Sequence, residues 1–422
     1  MPSTSGKRLT SNILALYILQ GLNYIVPMLV LPFLVRVLGI EQYGLMALAQ
    51  SFAQYFTLLT DYGFNLSATR SIVPLRDSPA GISKIFSAVL FIKVALLLLG
   101  IPILTGILMF VPRLQQNAAF FAVAYLGVVG NVLFPNWFFQ GIEQMRYISI
   151  LIGASRILGA AALFIFVHKP ADALLALLIQ TLSLVVGGVL GLLVAINRFK
   201  VLLVVPTRTD LRVALAEGWH LFVSTAAVSL YTNTNVFLVG LLVGNTEAGY
   251  FSAAEKLIRA LQGLMAPVSQ ALFPHMNTLV AKSRQAALDF ALETLRWIGG
   301  ITALGSFLLF AFAHPIVQMA LGKSAYPAAT TLRWIAPLPF IIAVSNVLGI
   351  QIMIPFGLDK AFSRLLIGAG VLNVVLGLVL IPHSGATGAG QAVLLTELSV
   401  TCSMIWILYR SNTLNLERVN AS

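Results

Sequence analysis

The chain carries apolar blocks that each run the thickness of a membrane, among them Ile85 to Phe110, Leu174 to Ile196 and Ala386 to Tyr409. Each is long enough for the ~20 residues that a helix needs to cross the hydrocarbon of a bilayer. The remaining residues could not cover a water-facing surface, because 59% of the chain is hydrophobic and only 9% is charged, whereas soluble domains carry about a quarter charged residues. The blocks are therefore read as transmembrane helices and not as the core helices of a soluble protein.

A hydropathy window of ~19 residues places spans near 9–38, 43–66, 85–110, 117–140, 147–167, 171–196, 218–243, 249–274, 292–313, 328–354, 361–381 and 386–410. The first follows Lys7 and Arg8, as a secretory signal would, but no small-residue cleavage site follows it, so it is read as a retained span. With the amino terminus in the cytoplasm, Arg36, Arg113, Lys169 and Lys323 fall outside and roughly 17 Lys and Arg fall inside. Both termini are thus expected to be cytoplasmic. The formal charge of +12 is dispersed over loops, which fits topology better than nucleic-acid binding. The basic segment 201–217 is expected to be a cytoplasmic loop joining an amino-terminal lobe, 1–200, to a carboxy-terminal lobe, 218–422, with six spans on each side.

The halves share a faint internal likeness: Gly39, Gly44, Ala47 and Ala49 match Gly244, Gly249, Ser252 and Ala254 at one constant offset. An even number of spans per half makes such repeats parallel. Two similar lobes are expected to enclose a central cavity.

Charged groups inside a membrane are costly, so they usually face a cavity or a partner. In the second span Gln50, Gln54, Thr57 and Asp61 stack along one helical face. At the repeat offset the eighth span offers Glu255, Arg259 and Gln262. The cations Lys93, Arg156, Lys256, Arg259 and Arg333 outnumber the anions Asp61, Glu255 and Glu397 within the spans. That surplus suits an anionic substrate, since guanidinium groups chelate phosphate oxygens bidentately. The competing reading of Glu255 and Arg259, four residues apart, is an intrahelical ion pair. Snorkelling would account for Lys93 and Arg333, but less well for Arg156 at mid-span. The glycine pairs Gly187 with Gly191 and Gly240 with Gly244 read as points of close helix approach.

Several chemistries find no support. Gly322-Lys323-Ser324 ends like a phosphate-binding loop, but Val317 stands where the first glycine belongs. His168, His220, His275, His314 and His383 lack the i, i+4 spacing of a helical metal site. The single cysteine, Cys402, offers no disulfide or thiolate site and is read as packing. No cofactor is expected, and no enzyme is indicated.

Particular stretches resemble a known family: Gln20-Gly-Leu-Asn-Tyr-Ile-Val-Pro27, Leu34-Val-Arg-Val-Leu-Gly39, Leu58-Leu-Thr-Asp-Tyr-Gly-Phe-Asn-Leu-Ser-Ala-Thr-Arg70, Pro135-Asn-Trp-Phe-Phe-Gln-Gly-Ile-Glu143 and Gly249-Tyr-Phe-Ser-Ala-Ala-Glu-Lys-Leu257. They are similar to Wzx-type O-antigen and polysaccharide flippases of the multidrug/oligosaccharidyl-lipid/polysaccharide (MOP) superfamily. The resemblance implies an all-α integral membrane protein with about twelve helices in two six-helix, MATE-like lobes around a central cavity. It implies a transporter of the bacterial inner membrane that moves an undecaprenyl-diphosphate-linked glycan across the bilayer, driven by ion gradients and served by a polysaccharide polymerase and chain-length regulator. On that reading Arg156, Lys256, Arg259, Arg333 and Lys93 are candidates for binding substrate. Asp61, Glu255 and Glu397 are candidates for coupling a proton or sodium ion, and Gln50, Gln54 and Gln262 for a polar cavity wall. The alternatives are a drug exporter, which would line its cavity with acids, and a membrane-embedded glycosyltransferase or polymerase, which would need larger outer loops.

Overall fold

A computed structural model describes residues 21, 25–263, 272 and 276–411. Most of the expected first span before Ile25, the end of the eighth, and His275 lie outside the described residues. Among the described residues all regular structure is helical. The long elements are α1 (Ile25–Leu38), α2 (Ile40–Asp61), α3 (Pro79–Phe110), α4 (Ala118–Gly141), α5 (Met145–Phe166) and α6 (Pro170–Asn197). They continue with α7 (Arg208–Leu242), α8 (Asn245–Gly263), α9 (Arg284–Ala311), α10 (Ala328–Met353) and α11 (Asp359–Arg410). Seven of the described helices are long and apolar enough to cross a membrane. The two last expected spans form one element, α11, broken at Gly385 with φ 55 and ψ −133. The described part of each expected span is mostly helical, the second being interrupted at Tyr62 and Gly63, and the chain is a multi-pass helical membrane protein.

The chain divides into two compact units, Met1–Ser229 and Leu230–Ser422, with the division inside α7. Segment 201–207 has no regular structure, and the helix begins at Arg208.

In the first unit α4 and α6 touch backbone to backbone. A Cβ on Gly130 would lie 2.5 Å from the Leu184 carbonyl carbon, and one on Gly188 would meet the Gly130 carbonyl oxygen. Gly187 and Gly191 are close to neighbours too, but to the side chains of Ser155 and Phe134. After a break at Phe134–Pro135, α4 ends in a short helix, Asn136–Gly141, whose Trp137, Phe138 and Phe139 are buried among Phe86, Phe134, Tyr147 and Phe199. Arg76 fastens its end, pairing with Glu143 at 2.8 Å and donating to the Gly141 carbonyl at 2.7 Å. This motif is a packing device.

In the second unit the core gathers Met276, Leu288, Val347, Ile352, Met353, Met404 and Leu408. The end of α10, Val347–Met353, is a π-helix, and the Ile354 amide donates to the carbonyl five residues back, on Gly349, at 3.1 Å. Glu247 accepts from the Ala386 amide at 2.7 Å, directly after the break in α11. The repeat seen in sequence has a conformational counterpart. Gly39 and Gly244 both take positive φ, 79 and 144, at the turn before α2 and α8, and each carbonyl accepts from the amide four residues on. Only glycine adopts such φ without steric cost. Cys402, expected as packing, is exposed on α11.

Candidate functional site

The strongest polar feature of the first unit joins two residues that sequence placed in different roles. Asp61 ends α2, where Tyr62 and Gly63 take left-handed φ of 43 and 76 and turn the chain into the short helix Phe64–Ile72. Lys93 sits mid-way along α3, only 1% exposed. Its Nζ lies 2.9 Å from Asp61 Oδ1 and donates to the Asn131 carbonyl of α4 at 3.4 Å. An ammonium in apolar surroundings persists only when paired and hydrogen-bonded, and Lys93 is both. It does not snorkel. Asp61 keeps a 23% exposed side chain, so the pair is reached from that end.

The polar stripe of α2 has three surroundings. Gln50 donates to Gln180 Oε1 of α6 at 2.9 Å, Gln54 is exposed, and Asp61 turns to α3. Arg156, on α5, is half-buried.

In the second unit Glu255 and Arg259 form the i, i+4 ion pair at 2.9 Å, and Arg259 also donates to the Thr232 carbonyl of α7. Lys256 and Gln262, on the same helix, are half-buried. Arg333 is exposed, with its guanidinium 5.8 Å from the centre of the Phe310 ring, a cation–π arrangement. Glu397 is buried at 7% exposure in the second half of α11.

The second unit also holds a group that the sequence reading did not mark, ending on Thr396, the residue before Glu397. Asn235 of α7 and Asn373 of α11 are 2% and 0% exposed, and the side-chain oxygen of each is buried without a hydrogen-bond partner among the described residues. Asn235 Oδ1 is 3.9 Å from the position a Cβ on Gly377 would take, one turn from Asn373 on α11. Asn373 donates to Thr396 Oγ1 at 3.3 Å, and Thr396 donates to the Ala392 carbonyl. Buried amide oxygens are rarely left unmatched, since each costs about 1–3 kcal/mol. The available signal was the run Thr232-Asn-Thr-Asn235 inside an apolar span.

Residues 9–280 match the model of a family described as polysaccharide biosynthesis protein. Over 98% of this chain and 99% of the relative, the sequence is 34% identical to a protein of Escherichia coli (strain K12) named "Putative O-antigen transporter". The chain belongs to the polysaccharide biosynthesis protein family. The resemblance to polysaccharide flippases read from the sequence is borne out at this level. Among solved structures, this member of the family resembles an inward-facing MATE-family multidrug resistance transporter of the MOP superfamily, with a TM-score of 0.73 at 14% identity, covering 96% of this chain and 99% of that one. It also resembles the lipid II flippase MurJ in an inward closed conformation, with a TM-score of 0.66 at 13% identity, covering 94% and 87%. At such identities the likeness establishes the fold, and the MATE-like fold class holds for this member of the polysaccharide biosynthesis family.

Proposed function

We propose that this protein is a flippase that moves an undecaprenyl-diphosphate-linked oligosaccharide, an O-antigen or related polysaccharide repeat unit, from the cytoplasmic to the periplasmic leaflet of the bacterial inner membrane by alternating access, both termini being cytoplasmic. The observation that carries this reading is the likeness to the Escherichia coli relative along 98% of the chain. The need for such a protein is physical, because hydroxyl-rich sugar and diphosphate cannot enter hydrocarbon unsolvated. Arg156, Arg259 and Arg333, with Lys256, would hold the diphosphate through charge-assisted hydrogen bonds. Lys93, 1% exposed and already matched by Asp61, stands outside this set. A polymerase and a chain-length regulator would receive the product.

Complementation of a flippase-deleted strain tests this reading. At matched membrane expression, wild type is expected to restore surface polysaccharide, while Arg156→Ala, Arg259→Ala and Arg333→Ala are expected to fail. Restoration by all three removes the arginine assignment. Failure of wild type with its cognate lipid-linked glycan supplied removes the function.

Ion coupling belongs to the same reading. Neutral oxygen donors such as those of Asn235, Asn373 and Thr396 suit a hard cation, and a bound sodium ion would give the two orphan amide oxygens their missing partner. Protonation of Asp61, Glu255 or Glu397 is the competing route. In vesicles, an imposed sodium gradient is expected to accelerate wild-type transport and to leave Asn373→Leu unaffected. An equal response of both proteins would move the coupling to the carboxylates.

A further inference from the structure

The connection from α6 to α7 combines features that the transport reading leaves unused. Leu202, Leu203, Val204 and Val205 are exposed, Val205 almost completely at 95%. Their backbone is nonetheless held fast. The Leu202 amide donates to Ser83 Oγ at 3.0 Å and the Val204 amide to Ser87 Oγ at 2.9 Å. An apolar strip anchored in this way would be an aggregation hazard in water, and such exposed patches mark a surface that something apolar covers.

Arg208 and Arg212 follow at once, one turn apart on α7. With Tyr62, Leu211, Leu215, Ala216 and Trp219 they line a cavity of about 500 Å³. The wall behind it is rigid, because Tyr62 stacks on Phe222 with ring centres 5.0 Å apart, and a Cβ on Gly218 would lie 2.7 Å from the Tyr62 carbonyl oxygen. Both arginines are exposed, and neither has an ion-pair partner among the described residues. The carboxylate between them in sequence, Asp210, is committed elsewhere: it takes the Thr207 hydroxyl at 2.6 Å and pairs with Lys84 at 3.0 Å. These contacts, the Thr207 hydroxyl foremost, hold its pKa below the usual carboxylate value.

We propose that this cavity binds the phosphate of an anionic membrane phospholipid, in the leaflet on the side of the α6–α7 connection. Arg208 and Arg212 are the phosphate ligands, and Leu202 to Val205 and Trp219 sit among the upper acyl chains. Tryptophan favours that depth, where one edge of its ring is wet and the rest apolar. Free phosphate would satisfy the arginines but leave the apolar strip in water. A zwitterionic headgroup would bring its own cation towards two guanidinium groups, so an anionic lipid is the occupant that matches both parts of the surface.

The test uses the full chain in nanodiscs of phosphatidylethanolamine mixed with either phosphatidylglycerol or phosphatidylcholine, with retained lipids counted by native mass spectrometry. Wild type is expected to retain phosphatidylglycerol about tenfold over phosphatidylcholine, at roughly a factor of five per arginine or less. The double variant R208Q/R212Q is expected to lose that preference, whereas K360Q/R364Q, the same charge change in the second unit, keeps it. Equal retention of the two lipids by wild type overturns the proposal whether or not the variant folds, as does an undiminished preference in R208Q/R212Q. Displacement of the retained lipid by inorganic phosphate at constant ionic strength overturns it in favour of a soluble anion.

Discussion

Lys93→Met is expected to destabilise the folded protein by about 3–5 kcal/mol, the usual loss when one partner of a buried ion pair is removed and the other stays charged. The partner left behind is Asp61, and the Asn131 carbonyl also loses its donor. Asp61→Asn is expected to be equally harmful, since it strands an ammonium that is 1% exposed. The double variant D61N/K93M should recover most of the loss, because a neutral pair of similar volume needs no compensation. Denaturation in detergent measures all three, and a double variant as unstable as the singles would show that the residues act separately. Complementation by the recovered double variant then divides the two roles of the pair. If it is folded and inactive, the charges carry coupling; if folded and active, they only join α2 to α3.

The second large effect is steric. Gly188→Val inserts a branched side chain where even a Cβ would overlap the Gly130 carbonyl oxygen and lie 3.0 Å from Leu133 Cβ. Helix backbone cannot swing aside as the end of a side chain can, so α4 and α6 must separate along much of their contact. A loss of about 3 kcal/mol is expected, at the upper end for overpacking, together with lower yield in the membrane. Gly106→Val is the matched control, since a Cβ there meets nothing within 4 Å. Equal stability of the two variants would refute this account of the α4–α6 contact.

How far these features could be read from sequence depends on the range of the interactions that make them. The spans were legible because length and hydropathy are local properties, and the bilayer fixes both. The Glu255–Arg259 pair was legible for the same reason, as i, i+4 neighbours share a helical face. The Asp61–Lys93 pair was not, since helical phase tells which face a residue occupies but not which helix lies opposite. Asp61 was therefore set with the coupling acids and Lys93 with the substrate cations, although the two are in contact. The same limit applies to the glycines. Small residues at Gly187 and Gly191 announced a close approach, yet Gly188 makes the backbone contact, because the rotation of α6 about its axis is set by its neighbours. Asn235 and Asn373 were not legible, because a neutral amide in an apolar span carries no charge to mark it and reveals itself only through what surrounds it.

The π-helical end of α10 bears on how chains of this kind change in length. A π turn holds one residue more than the α turn it replaces, so Val347–Met353 is where a single codon can be lost with least disturbance. Removing one residue there would let the turn tighten to α geometry without rotating the α-helical residues before it, because the chain beyond runs into the turn Ile354–Gly357 and not into more helix. The same deletion within α4 or α6 would rotate every following side chain of that helix by about 100°. Alignments of homologous chains should therefore show one-residue gaps at the end of α10 more often than inside the neighbouring spans.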